Sequence, residues 1–87
     1  IYRTTKDPYA CGNMTTFAYY DIPNNNLATS SSLANYTACC AWCLSYTGCV
    51  GLTWGLPTAG WFRANYCFLK SAFPSVSSDS ALVSAHI

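Results

Sequence analysis

Glutamate is absent from this 87-residue sequence, and aspartate occurs only at Asp7, Asp21 and Asp79. A glycosidase working through paired carboxylates needs two of them held a fixed distance apart across a cleft. Asp7 and Asp79 fall in segments expected to be flexible arms, and a chain this short offers no cleft. Asp21 precedes a turn at Ile22-Pro23, where a side-chain bond to the backbone is the simpler role. Histidine occurs once, as His86 near the chain end. It is expected to be an ordinary exposed side chain rather than the base of a Ser-His-Asp arrangement. No glycine-rich phosphate loop is present. Basic residues are as sparse: Arg3, Lys6, Arg63 and Lys70 are scattered and form no stripe that could displace counterions from a nucleic acid. No apolar run approaches the ~20 residues that cross a bilayer. The expectation is a protein that is not an enzyme, uses no cofactor, binds no nucleic acid and has no membrane span.

Charged residues make up 8% of the chain, hydrophobic ones 52%, and the formal net charge is +1. Soluble domains commonly carry roughly 25–35% charged residues on their surface. A bare monomer of this composition is expected to be sticky unless glycans or neighbouring molecules cover it. The length suits one domain, whose small core needs a covalent or metal staple. Six cysteines supply one, and disulfides persist in oxidising compartments, so the expected location is secreted: cell surface, wall or matrix. The chain begins at Ile1 and is expected to be a mature product whose signal peptide has been removed. Cys40-x2-Cys43 has a metal-like gap, but the second pair of a structural zinc site is missing, so no metal is expected. With every cysteine bridged, no thiolate nucleophile remains.

Residues 16–22 (TFAYYDI) are aromatic and β-branched and suit a strand that ends at Pro23 and the turn Asn24-Asn25-Asn26. Residues 28–32 (ATSSS) read as a loop. The one helix is expected over residues 36–46, with Asn35 as N-cap and Gly48 just past the end. Tyr36, Cys39, Cys40, Cys43 and Leu44 recur at helical spacing and are expected to form its buried face. Residues 49–54 (CVGLTW) alternate, with Val50, Leu52 and Trp54 on one side, and read as a strand. Gly55, Pro57 and Gly60 mark a loop, and residues 65–70 (NYCFLK) form a further short strand. A Ser-rich stretch follows Pro74, and residues 81–87 suit an edge strand. One helix over short antiparallel strands makes an α+β fold. The expected divisions are an N-terminal arm over 1–10, the domain over 11–74, and a Ser-rich tail or edge strand over 75–87.

Cys39-x3-Cys43-x5-Cys49, the strand Cys49-Val-Gly-Leu-Thr-Trp and the ending Cys67-Phe-Leu-Lys together resemble the PAN/Apple family, over roughly residues 21–73. Tyr20-Asp-Ile-Pro-Asn-Asn and the doublet Cys39-Cys40 also resemble PAN-type modules in secreted proteins of microbial eukaryotes. In that family a helix packs on an antiparallel sheet and two bridges tie it down. The resemblance implies the pairs Cys39–Cys67 and Cys43–Cys49, with the remaining Cys11 and Cys40 forming a third. The residues themselves leave fifteen connectivities open, and an exchange of roles between Cys39 and Cys40 is the main alternative. A hydrophobin, the other disulfide-rich class with doublets, would need eight cysteines and two doublets.

The family's members bind proteins or carbohydrates, so the resemblance implies a binding module. Exposed aromatic rings stack on the apolar faces of sugars, which nominates Trp61, Trp54 and Tyr66 as ligand-binding residues. Trp42, Trp54 and Tyr66 also suit the core, because aromatics dominate burial in small domains, and for Trp42 and Trp54 the core is the favoured place. Asn13-Met14-Thr15 and Asn35-Tyr36-Thr37 are acceptor sequons, so N-linked glycans are expected at Asn13 and Asn35. Residues 30–32 and 74–80 have the bias of O-glycosylated stretches. The leading expectation is a non-catalytic extracellular glycoprotein module for adhesion, with a polysaccharide or protein as partner. The alternative is a structural subunit of an extracellular glycoprotein fibre, whose partner is another copy of itself. A secreted defence or toxin-like protein is a weaker third reading, and the low positive charge argues against membrane attack.

Overall fold

A computed structural model of the protein describes residues 9–57 and 64–87. These comprise β1 (Thr15–Asp21), β2 (Asn26–Ser30), α1 (Tyr36–Ser45), β3 (Gly51–Gly55), β4 (Cys67–Lys70) and β5 (Ser77–His86). The five strands form one sheet in the order β1-β5-β3-β4-β2, antiparallel at every pairing. The protein is a small disulfide-rich α+β fold.

Helix α1 starts where Asn35 Oδ1 accepts the Ala38 N–H at 2.9 Å, satisfying a donor that has no partner within the helix. It stops at Tyr46, whose backbone is extended, and Gly48 then takes the left-handed conformation (φ +90°) that only glycine adopts freely. Tyr36, Cys39, Cys40 and Cys43 form the buried stripe. Leu44 does not belong to it and is 58% exposed. At 3.6 residues per turn it lies roughly 90° round from the stripe's centre, where it leans over the turn at Gly12 rather than into the sheet.

Three disulfides join Cys11–Cys40, Cys39–Cys67 and Cys43–Cys49, and no cysteine is free. The doublet is split by its own geometry. Neighbouring helical residues point about 100° apart, so Cys39 reaches β4 while Cys40 reaches the segment before β1. On the sheet, Leu52 lies opposite both Leu69 and Ala85, and Trp54 opposite both Cys67 and Val83. These six residues and the helix cysteines make the core, with Trp42 and Leu27 packed at its margin.

Three expectations are corrected. Residues 26–30, which run from the expected turn into the expected loop over 28–32, form strand β2, which pairs with β4 on the outer edge of the sheet. An edge strand packs on one side only, so small polar residues suffice there and hide the strand pattern. The C-terminal strand is not at an edge: β5 starts at Ser77 and lies between β1 and β3. The domain therefore cannot end at residue 74. Ser77, Ser78 and Ser80 occupy the half-open end of the strand, while residues 82–85, Ser84 among them, are buried. Finally, the domain begins before residue 11. Tyr9 packs edge-on against Tyr36 with centroids 5.3 Å apart, and its carbonyl accepts the Thr16 hydroxyl at 2.9 Å. The rest of the expected arm, residues 1–8, lies outside the described residues.

Candidate functional site

Side chains alternate across a strand, so the residues between the core positions share the sheet face turned away from the helix. Register places Thr53 opposite Phe68 and Ser84, and Gly51 opposite Lys70 and His86. This second face is covered by the chain leaving β1. At Tyr19 (φ +68°) the pairing of β1 with β5 slips; Tyr20 and Asp21 still pair with Ser78 and Ser77, and Ile22 beyond them lies over β3. The Ile22 N–H donates to Thr53 Oγ1 at 3.4 Å, Thr53 and Ser84 share a 2.8 Å hydroxyl contact, and Ser84 Oγ donates to the Tyr20 carbonyl at 2.8 Å. Because Ser84 donates onward, the proton between the two hydroxyls comes from Thr53, and the chain of bonds runs in one direction. Ile22 is fully buried beneath this crossing. A Cβ at Gly51 would lie 2.9 Å from the Ala85 carbonyl and 3.3 Å from Ile22 Cδ1, so the crossing needs glycine there. Strand β3 is consequently buried on both faces, not on one as its alternation suggests.

Beyond Pro23 the chain reverses through Asn24 and Asn25, both left-handed at φ +60° and +59°. Asparagine tolerates this conformation better than other side chains that carry a Cβ. The turn brings three asparagines to the end of β4. Lys70 Nζ donates to the Asn24 carbonyl at 2.9 Å and to Asn26 Oδ1 at 2.5 Å, and the Ser71 N–H donates to the Asn25 carbonyl at 2.9 Å. Lys70 is 4% exposed. Burial pushes its pKa below 10.5, and the negative charge of Asp21 works against that shift.

Between this turn and the sheet opens a pocket of about 180 Å³. Thr53, Phe68 and Leu82 form its apolar side; Asp21, Asn24, Asn26 and Lys70 form its polar side. Strand β4 extends the surface. Tyr66 stacks on Phe68 with centroids 5.9 Å apart and planes at 23°, and Lys70 Nζ sits 5.7 Å from the Phe68 centroid. Spacing of two residues thus lines up a phenol, a phenyl ring and an ammonium on one face.

Of the nominated ligand-binding residues, Tyr66 is half-buried and borders this surface. Trp54 does not: it is 4% exposed and packs in the core under the helix, because its register places it opposite Cys67 and Val83. Trp61 lies outside the described residues. Asn13 and Asn35, the nominated glycan acceptors, are both exposed. Asp21, expected to serve the turn, lines the pocket instead. His86 is not the open side chain expected. It is half-buried between Phe17 at 5.0 Å and Phe73 at 4.0 Å, stacked on both. Asp79 lies in β5 and accepts the Ala81 N–H at 3.0 Å.

Sequence reasoning missed Asn24, Asn26, Phe68 and Lys70 as site residues. One signal was available: Cys67 and Leu69 face the core, so Tyr66, Phe68 and Lys70 must share the opposite face. A lysine on the face that shares β4 with two aromatics marks a polar surface in a chain with only four cations. Neither a protein-family model nor a curated protein matches the chain.

Proposed function

We propose that this protein is a non-catalytic extracellular glycoprotein module of PAN/Apple type, which serves adhesion by binding a polysaccharide through the sheet face opposite the helix. The observation that carries this reading is the pocket bounded by Asp21, Asn24, Asn26 and Lys70 over Phe68, with Tyr66 alongside. Sugars offer hydroxyls that both donate and accept, and ring faces of C–H groups that stack on aromatics. A few convergent polar groups over an apolar surface are what such a ligand requires. N-linked glycans on the exposed Asn13 and Asn35 supply the hydration that the scarce charges do not. The test is binding of the natively glycosylated protein to immobilised wall and matrix polysaccharides and to extracellular proteins. Saturable binding that weakens in Tyr66→Ala, with the melting temperature unchanged, is expected. No binding to any of them refutes adhesion.

A fibre subunit is the second reading, and strand β1 favours it. It is an edge strand carrying Tyr19 and Tyr20, which are 54% and 40% exposed. An edge with exposed aromatics can accept a neighbouring strand. Light scattering decides between the two: a glycosylated monomer favours adhesion, and long dispersed particles favour the fibre.

A further inference from the structure

We infer that the pocket between the asparagine turn and β4 takes a single uncharged sugar ring and discriminates against acidic sugars. The inference rests on the adhesion reading and adds to it the chemical class of the ligand. Size sets the first limit. At about 180 Å³ the space falls below the roughly 300–1,000 Å³ of pockets for drug-sized molecules, so one ring enters and the rest of a polysaccharide stays outside.

Charge sets the second. The pocket holds one ammonium, Lys70, one carboxylate, Asp21, and two neutral amides. An ammonium has three hydrogens. Among the described residues two of them go to the Asn24 carbonyl and to Asn26 Oδ1, which leaves one for a guest. The carboxylate of Asp21 only accepts. A pair of neighbouring hydroxyls matches this arrangement: one accepts from Lys70 and the other donates to Asp21. A uronic acid would place a second carboxylate beside Asp21 and meet like-charge repulsion in a partly desolvated site.

The third feature is rigidity. Lys70 is fixed by two bonds and buried, and the turn that holds it is locked to β4 through Ser71. Little side-chain freedom remains to be lost when the ring arrives, which favours a small ligand with few contacts. Phe68 and Leu82 offer the apolar surface for its C–H face.

Saturation-transfer NMR on the intact, disulfide-bonded protein tests this with free glucose, galactose, mannose, N-acetylglucosamine, glucuronic acid and galacturonic acid as probes. Transfer to at least one neutral sugar and to neither uronic acid is expected. Asp21→Asn, which keeps the shape and removes the charge, should weaken the neutral sugar by about tenfold or more and admit a uronic acid. Lys70→Met, checked by thermal melting to be folded, should abolish transfer. A preference for uronic acids in the unaltered protein, or unchanged binding in Asp21→Asn, overturns the inference. If a polysaccharide binds but neutral monosaccharides show no transfer, the pocket is the wrong site and adhesion stands. If neither polysaccharide nor protein partner binds, both readings fall.

Discussion

Toward the helix, the sheet presents Leu52, Leu69, Val83 and Ala85 and is clipped by the Cys39–Cys67 bridge; away from it, the same strands present Thr53, Ser84, Phe68 and Lys70 and are closed by hydrogen bonds. The first face excludes water and is held covalently. The second is polar, is covered by a single crossing segment, and keeps an open pocket. A chain of this size has one core, and native domains are stable by only about 5–15 kcal/mol in total. Bridges contributing ~2–4 kcal/mol each can supply much of that from the helix side. The opposite face is then free to bury a lysine and several hydroxyls that would be a poor core on their own.

Removing the covalent face should have the largest effect. Cys39 and Cys67 are 28 residues apart, and the chain-entropy model assigns such a closure about 3.5 kcal/mol. The paired change Cys39→Ala with Cys67→Ala should unfold most of the population in urea concentrations the intact protein tolerates. Opening Cys43–Cys49, a separation of 6, should cost about 2 kcal/mol. If the short bridge proves the costlier, stability comes from ordering the turn between the helix and β3 and not from clipping the helix to the sheet.

A smaller loss is expected on the second face from Gly51→Ala, about 1–3 kcal/mol by urea denaturation. The new methyl meets the backbone carbonyl of Ala85, which cannot swing aside, and the buried Ile22. An unchanged midpoint would mean that the crossing segment lifts freely and that the two faces differ more than proposed. Asn35→Ala should cost about 1 kcal/mol through the lost cap, whereas Asn35→Asp should keep the cap. Both remove the acceptor at that sequon, so a mobility shift common to the two variants reads the glycan and the melting temperature reads the cap.

The smallest effect is the pH response of Lys70. Its pKa in the folded state lies below the 10.5 of an unperturbed lysine, so between those two values the unfolded chain binds more protons. Stability from this group is therefore fully present above 10.5 and is lost as pH falls through the folded value. Comparing unfolding of Lys70→Met with the unaltered protein over this range isolates the effect from the tyrosines. A difference between the two that stays constant with pH would show that the ammonium is solvated and that the second face is more open than its burial suggests.

Local chemistry alone located the helix. Asn35 before an apolar-cysteine stripe and Gly48 after it are features of neighbouring residues, and the helix begins and ends where they require. The asparagine turn and the strand on either side of Leu52 were legible for the same reason. Cysteine count likewise specified a stapled domain, and one helix pattern among short strand patterns gave its small α+β class. Other features depend on partners far apart in the chain: Lys70 meets Asn26 across 44 positions, and Ser84 meets Tyr20 across 64. Only the tertiary structure decided that β5 lies between β1 and β3, that Trp54 is withdrawn under the helix, and that Asp21 and Lys70 share a pocket. Spacing along a strand tells which residues share a face; which strands lie side by side, and what crosses over them, is set by long-range pairing that no local pattern records.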